Sequence, residues 1–206
     1  MHQKDYYITA SCRISNQVIH KDRQKIFEDN KPSLTDFLLS AYDHFGFQYP
    51  KFYKMDTLSK LGWLASEVLL KNSFPQLHYK PEEVGIVLSN SNASLDTDIK
   101  YFDSTKEFAS PSLFVYTLPN IITGEICIRN KFKGENAFFI QERFDADFIK
   151  QYAGYLLNNN ILQCCICGRV DVIQEDYEAL LVLIEKSGTG NHVLFTTENI
   201  QSLNQK

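Results

Sequence analysis

The chain alternates between short apolar runs and longer segments with helical spacing. Five runs have the length and composition of strands: 6–14, 83–90, 137–140, 161–172 and 177–185. The runs at 83–90 and 161–172 are almost continuously apolar, which is typical of strands that are buried on both faces of a sheet. These segments predict a sheet whose central strands are interior.

Helices are predicted between the strands. Ser33 precedes a segment with apolar residues on one face, and Gly46 follows it, so this helix has both a start and a stop signal. Asp56 likewise precedes a second amphipathic segment. Further helices are predicted near 92–94, 111–116 and 144–157. The alternation of strands and helices predicts an α/β domain with a central mixed sheet and helices on both faces.

Two polar segments are predicted to lack regular structure. Residues 15–31 are interpreted as a loop, including the mixed-charge stretch 20–25, and residues 188–206 as a weakly structured, Asn- and Gln-rich tail. The glycine-rich stretch 187–190 is interpreted as a turn, because no helix is predicted behind it to form a phosphate site.

Composition narrows the classes of partner. The 206 residues carry a net charge of −4 without a basic stripe, so nucleic acid is not a predicted partner. The N-terminus has no apolar signal region, and no run of about 18 apolar residues occurs, so membrane insertion is not predicted. Five cysteines, an odd number with three crowded together, favour free thiols and a cytoplasmic location.

The three clustered cysteines are the most conspicuous candidate for chemistry. On a strand, Cys165 and Cys167 face one side and Cys164 the other, so the three cannot converge on one metal ion. We therefore interpret them as buried core residues; the alternative is an enzyme that uses one of them as its nucleophile. The sequence contains no hydrolase, phosphate-loop or zinc-protease motif, and neither a metal nor a cofactor is predicted.

Seven segments, in order, carry a resemblance to a known family: 7–10, 54–61, 84–90, 111 with 118–128, 133–136, 165–171 and 177–185. In the longest segment, 118–128, Asn120 is followed by Gly124 and then by an apolar stretch, which the resemblance implies is strand-like. The order and spacing resemble the N-terminal half of β-ketoacyl-acyl carrier protein synthases. The resemblance implies a thiolase-like half-domain in residues 1–186, followed by a polar tail in 187–206.

The chain departs from that family at its nucleophile. The family's catalytic cysteine lies about nine residues after the glycine that corresponds to Gly134, at the N-terminus of a buried helix, and this position is Arg143. A guanidinium cannot attack a thioester and would fill the pocket. The family's two decarboxylation histidines lie in a C-terminal half beyond the resemblance. The chain is therefore predicted not to be an enzyme.

The resemblance also implies a role. Family members dimerise through this half, so we expect an inactive, chain-length-factor-type partner of an active ketosynthase in fatty acid, polyketide or aryl-polyene-like biosynthesis. An acyl carrier protein is a second expected partner. The alternative is a stand-alone homodimer that binds an acyl group or a carrier protein. The predicted binding or interface residues are Phe114, Tyr116, Asn120, Phe138 and Phe139.

Overall fold

An eight-stranded mixed sheet forms the centre of the computed structural model, which describes residues 5–75, 78–186 and 192–204. The strand order is β3-β2-β1-β7-β6-β4-β5, with β8 paired to β1. β4 pairs in parallel with β5 and β6, and the other pairs are antiparallel. The strands are β1 (Tyr7–Ser15), β2 (Val18–Lys21), β3 (Gln24–Glu28), β4 (Val84–Asn90), β5 (Asn136–Ile140), β6 (Cys164–Ile173), β7 (Asp176–Glu185) and β8 (Val193–Leu194).

Helices cover both faces of the sheet, as predicted. Helices α1, α2 and α5 pack against the first face, and α6 and α7 against the second, so two apolar cores sandwich the strands. The helices are α1 (Leu34–His44), α2 (Thr57–Leu70), α3 (Leu95–Ser104), α4 (Pro111–Val115), α5 (Ile121–Asn130), α6 (Ala146–Asn158) and α7 (Thr197–Asn204), with 3-10 turns at Pro50–Lys54 and Pro81–Glu83.

The helix starts that the sequence signals are confirmed. The Ser33 hydroxyl accepts a hydrogen bond from the backbone N–H of Asp36, and Asp56 accepts one from Ser59 at 3.0 Å. Gly46, with a φ of 66°, follows α1 in the left-handed conformation that glycine adopts without strain. No helix within the described residues is long and apolar enough to cross a membrane.

The prediction that residues 15–31 form a loop is wrong. They form β2 and β3, which extend the sheet from β1 through two hairpins. The hairpins are closed by two-residue turns at Asn16-Gln17 and Asp22-Arg23. All four of these residues have positive φ angles, between 50° and 67°, as type I′ hairpin turns require. Neither turn contains glycine, so the usual hairpin signal was absent. Ile19 is fully buried and anchors the hairpin in the first core.

The C-terminal segment is not weakly structured where it is described. β8 pairs with β1, and α7 buries Ile200 in the second core. The turn predicted at 187–190 lies outside the described residues, and the domain boundary after residue 186 stays a prediction. A second correction concerns the apolar stretch after Gly124: it belongs to helix α5, whose buried Ile122 and Ile126 face α2 and the first core.

Candidate functional site

The start of α6 is the place where the resemblance puts a nucleophile. Gly134 lies just before β5, and its N–H donates to the carbonyl of Val84 at 3.1 Å. A Cβ at this position would lie 2.5 Å from the same oxygen, so only glycine allows the backbones to approach. This contact fixes where β5 begins, and therefore where α6 follows it.

An acid caps the N-terminus of α6. Asp145 is the N-cap of α6, and its carboxylate accepts a hydrogen bond from the backbone N–H of Phe148 at 3.0 Å. Arg143 lies three residues before the first residue of α6 and is exposed. Arg143 therefore lies in the connection between β5 and α6 and not at the helix N-terminus itself, and its correspondence to the family's nucleophile stays a prediction.

The cysteines lie elsewhere, in the core. Cys164 faces the first core, and Cys165 and Cys167 face the second, as their alternation on a strand predicts. All three are fully buried. Burial raises the pKa of the Cys164 thiol well above its usual value, and the Cys165 thiol, together with burial, does so for Cys167.

The two remaining cysteines are also poor nucleophiles. Burial raises the pKa of Cys12 far above its usual range and that of the half-buried Cys127 to about 11. Within the described ranges, no group of three or more His, Cys, Asp or Glu side chains is placed to hold a metal ion. The cysteine pattern thus marks buried structure in this fold.

A polar network joins the end of β4 to β6 on the second face of the sheet. The Asp171 carboxylate accepts from Arg169 Nη2 at 2.6 Å and from the backbone and side chain of both Ser91 and Asn92. Burial acts to raise the pKa of Asp171, but these hydrogen bonds and the guanidinium outweigh it, and the pKa lies below its usual value.

This network positions the backbone and has no free acceptor for chemistry. Each Asp171 oxygen already accepts at least two hydrogen bonds, and the bonds to Ser91 and Asn92 hold the turn that leads from β4 into α3. Sequence reasoning included Asp171 only as the last residue of the matching segment 165–171. Its partners in the turn lie about 80 positions away along the chain, and no local pattern reveals such a pairing.

The predicted binding residues do not form one site. Phe114 is exposed beside Tyr101, at 5.4 Å between ring centroids, whereas Tyr116 is buried. Asn120 is exposed and precedes α5 without a capping hydrogen bond from its side chain. Phe138 packs toward the first core and Phe139 toward the second, because neighbouring residues on a strand face opposite sides.

Tyr116 and Phe139 have structural partners instead. The Tyr116 hydroxyl donates to Glu125 at 3.1 Å, and burial together with this carboxylate raises its pKa. The ring of Phe139 lies 4.8 Å from that of Phe148 and 4.9 Å from that of Tyr152, edge to face. These contacts hold α5 and α6 in place.

Helices α3 and α4 present a group of large apolar side chains to solvent, which we call the α3–α4 apolar surface. Leu95, Ile99 and Phe102 share one face of α3, and Phe102 is 67% exposed. The two helices are joined by the Tyr101–Phe114 ring contact. The other members follow α3 along the chain: Phe108, Phe114, Val115 and Leu118. Exposed apolar groups of this size are typical of protein interaction sites.

β5 forms an open edge of the sheet. The backbone C=O of Glu135 accepts from the N–H of Ile86, and the backbone N–H of Gln141 donates to the C=O of Asn90. The backbone groups of the odd-numbered residues in this segment therefore face β4. The N–H and C=O groups of Asn136, Phe138 and Ile140 therefore point away from the sheet. β5 ends the strand order and contains neither Pro nor Lys, two residues that protect edges from pairing.

No family model and no curated protein matches this sequence. Solved structures share its fold. The ishigamide ketosynthase/chain length factor aligns with a TM-score of 0.65 and 17% identity, over 88% of this chain and 62% of that chain. A type II polyketide synthase acyl-carrier protein in complex with its ketosynthase, bound to the hexaketide, aligns with a TM-score of 0.62 and 14% identity, over 89% and 63% of the two chains.

A third structure is the ketosynthase ApeO in complex with its chain length factor ApeC from Xenorhabdus doucetiae. It aligns with a TM-score of 0.56 and 12% identity, over 86% of this chain and 77% of that chain. The matches cover less than two thirds of the first two chains. This chain therefore has the ketosynthase-like, thiolase-type α/β fold, in the form of a half-domain with a mixed sheet between two helical layers.

Proposed function

We propose that this chain is a catalytically inactive β-ketoacyl synthase-like protein. It acts as a chain-length-factor-type partner of an active ketosynthase in fatty acid, polyketide or aryl-polyene-like biosynthesis. One observation carries the proposal: a fold shared with ketosynthases and chain length factors exposes the α3–α4 apolar surface. Fully covering a large apolar side chain contributes roughly 1.5–3 kcal/mol, so burial of this surface by a partner would favour association.

The start of α6 supports inactivity. A nucleophilic thiol needs the positive end of a helix to lower its pKa and backbone N–H groups to stabilise the oxyanion. Here the carboxylate of Asp145 uses one of those N–H groups, that of Phe148. The chain therefore leaves acyl condensation to its partner.

The neighbouring structures support the choice of partner. Two of them are complexes, one of a ketosynthase with its chain length factor and one of a ketosynthase with an acyl-carrier protein. We propose that an active ketosynthase covers the α3–α4 apolar surface, and that the complex receives an acyl carrier protein. Phe114 lies on this surface and is our leading candidate among the predicted binding residues.

Co-purification tests the proposal. The full chain is co-expressed with a tagged ketosynthase from the same operon, with the untagged enzyme as the control for binding to the resin. The proposal predicts that the chain elutes with the ketosynthase in equal amounts and yields no condensation product by itself. A chain that remains a stable monomer and never associates with such an enzyme contradicts the proposal.

The open edge of β5 favours a second candidate function. Two copies of the chain can pair their β5 edges through the outward groups of Asn136, Phe138 and Ile140, as unprotected edges do. The product is a stand-alone homodimer that binds an acyl group or a carrier protein. A homodimer that is complete without any ketosynthase supports this candidate against the first.

A further inference from the structure

A cleft of about 460 Å³ lies on the second face of the sheet, away from the α3–α4 apolar surface and the β5 edge. Its floor is a row of three side chains, because Arg13 on β1 stands opposite His20 on β2 and opposite Leu180 on β7. Helix α7 forms its roof with Ser202 and Leu203. We call it the β1–β2 cleft.

The polar floor of the β1–β2 cleft is not required by the core. The alternate residues of the same strands, Cys12, Ile14 and Ile19, are fully buried on the first face and hold the hairpin there. An ordinary solvent-facing sheet surface is open, whereas this one is roofed. Arg23, from the β2–β3 turn, donates to the Ser202 hydroxyl at 2.7 Å and closes one side.

Two guanidinium groups line the cleft, although the whole chain carries a net charge of −4, and Glu178 pairs with one of them, that of Arg13. Arg13, His20 and Arg23 line it, and among the described residues that line it there is no carboxylate. Arg13 uses Nε and Nη2 to bond a single oxygen of Glu178, at 3.3 and 3.0 Å, so its Nη1 takes no part in this ion pair. Arg23 donates to Ser202 through Nη2, which is one of the three nitrogens of a guanidinium group with five N–H donors.

Apolar side chains stand beside these donors. Val18 and Leu180 line the cleft from the sheet, and Leu203 lines it from helix α7. The cleft therefore combines polar donors with a small apolar patch, and its volume lies within the range of small-molecule sites. The donors select an anion, and the apolar side chains select a molecule with a hydrocarbon part.

We propose that the β1–β2 cleft binds a small organic carboxylate with a short alkyl chain. The guanidinium groups of Arg13 and Arg23 hold the carboxylate, for which their planar fork is the matched donor. The alkyl chain lies against Leu180 and Leu203. This site is separate from the proposed ketosynthase contact, and it stands or fails independently of the partner role.

Titration of the full chain, without any ketosynthase, tests this site. Hexanoate is the probe, hexan-1-ol supplies the same chain without the charge, and inorganic phosphate supplies an anion without the chain. Nuclear magnetic resonance and calorimetry are expected to show saturable hexanoate binding that shifts the His20 ring signals, with both comparison compounds at least tenfold weaker. Equal binding of hexan-1-ol or phosphate, or no saturation with hexanoate below about 10 mM, overturns the proposal.

Matched substitutions complete the test. Arg13→Gln and Arg23→Gln are each expected to weaken hexanoate binding about tenfold, which corresponds to about 1.4 kcal/mol. Arg143→Gln, an exposed arginine outside the cleft, is the control and is expected to leave binding unchanged. Unchanged unfolding midpoints show that the variants fold. Two folded cleft variants that bind hexanoate as the wild type does overturn the site.

Discussion

The Asp145 carboxylate accepts a hydrogen bond from the backbone N–H of Phe148 at 3.0 Å, so an acid caps the helix that follows β5. The same helix end could stabilise a thiolate, since the partial positive charge there attracts any anion. The chain's five cysteines are free and lie in other parts of the fold, so none of them uses this helix end.

The first prediction concerns thiol reactivity. In the native protein, Cys12, Cys164, Cys165 and Cys167 are expected to resist alkylation because they are fully buried, and Cys127 to react slowly because burial raises its pKa to about 11. An Asp145→Cys variant is expected to react rapidly at its new thiol and serves as the positive control. The measurement is time-resolved alkylation followed by mass spectrometry. Rapid native labelling at the β6 cysteines would instead support an enzyme that uses one of them.

The second prediction concerns the network around Asp171. Asp171→Ala removes the partner of the largely buried Arg169, and breaking such a pair costs about 3 kcal/mol of unfolding free energy. Asp103→Ala is the control, since Asp103 pairs with Lys106 on the surface and is expected to matter little. Urea unfolding measures both. Equal, small losses would show that the network does not stabilise the fold.

The third prediction is the pH dependence of the same carboxylate. Its pKa in the folded protein lies below the ordinary value of 3.8, so the folded state favours the ionised form. The stability it contributes is therefore fully present above the unfolded pKa and is lost as the pH falls through the folded pKa. Unfolding midpoints measured from pH 6 down to about pH 3 are expected to fall more steeply for the wild type than for Asp171→Asn. Parallel curves for the two proteins contradict this role of Asp171.

The fourth prediction tests the edge of β5 with two prolines. Ile140→Pro removes an N–H that points away from the sheet, so the monomer is expected to keep its stability. Ala137→Pro removes an N–H that faces β4, with an expected loss of about 1–3 kcal/mol. Thermal unfolding separates the two variants, and an order of stability opposite to this one refutes the assigned register.

The sequence predicted the parts of the fold that depend on local chemistry. The apolar runs of β4, β6 and β7 marked interior strands, and the side chains of Ser33 and Asp56 marked helix starts. The β1–β2 and β2–β3 hairpins were not predicted, because their turns, Asn16-Gln17 and Asp22-Arg23, adopt positive φ angles without glycine. Such turns are favoured by the twist of the paired strands, a tertiary cause that the local sequence does not show.

The candidate site was predicted less completely. Counting from Gly134 located the connection before α6 but not the helix start itself, because the loop length between β5 and α6 is not encoded in a motif. The set of predicted binding residues mixed exposed and core positions, Phe114 among the former and Tyr116 among the latter. An amphipathic pattern identifies an apolar face but does not reveal whether that face meets the protein's own core or a partner.

The mass of the co-expressed complex tests the central claim most directly. Native mass spectrometry of the chain with its ketosynthase is predicted to show a one-to-one heterodimer. Phe102→Asp on the α3–α4 apolar surface is predicted to abolish it, and Tyr155→Asp, which replaces a comparably exposed aromatic on α6, to leave it intact. A chain that appears only as a monomer or as a complete homodimer, with the ketosynthase always separate, would contradict the account.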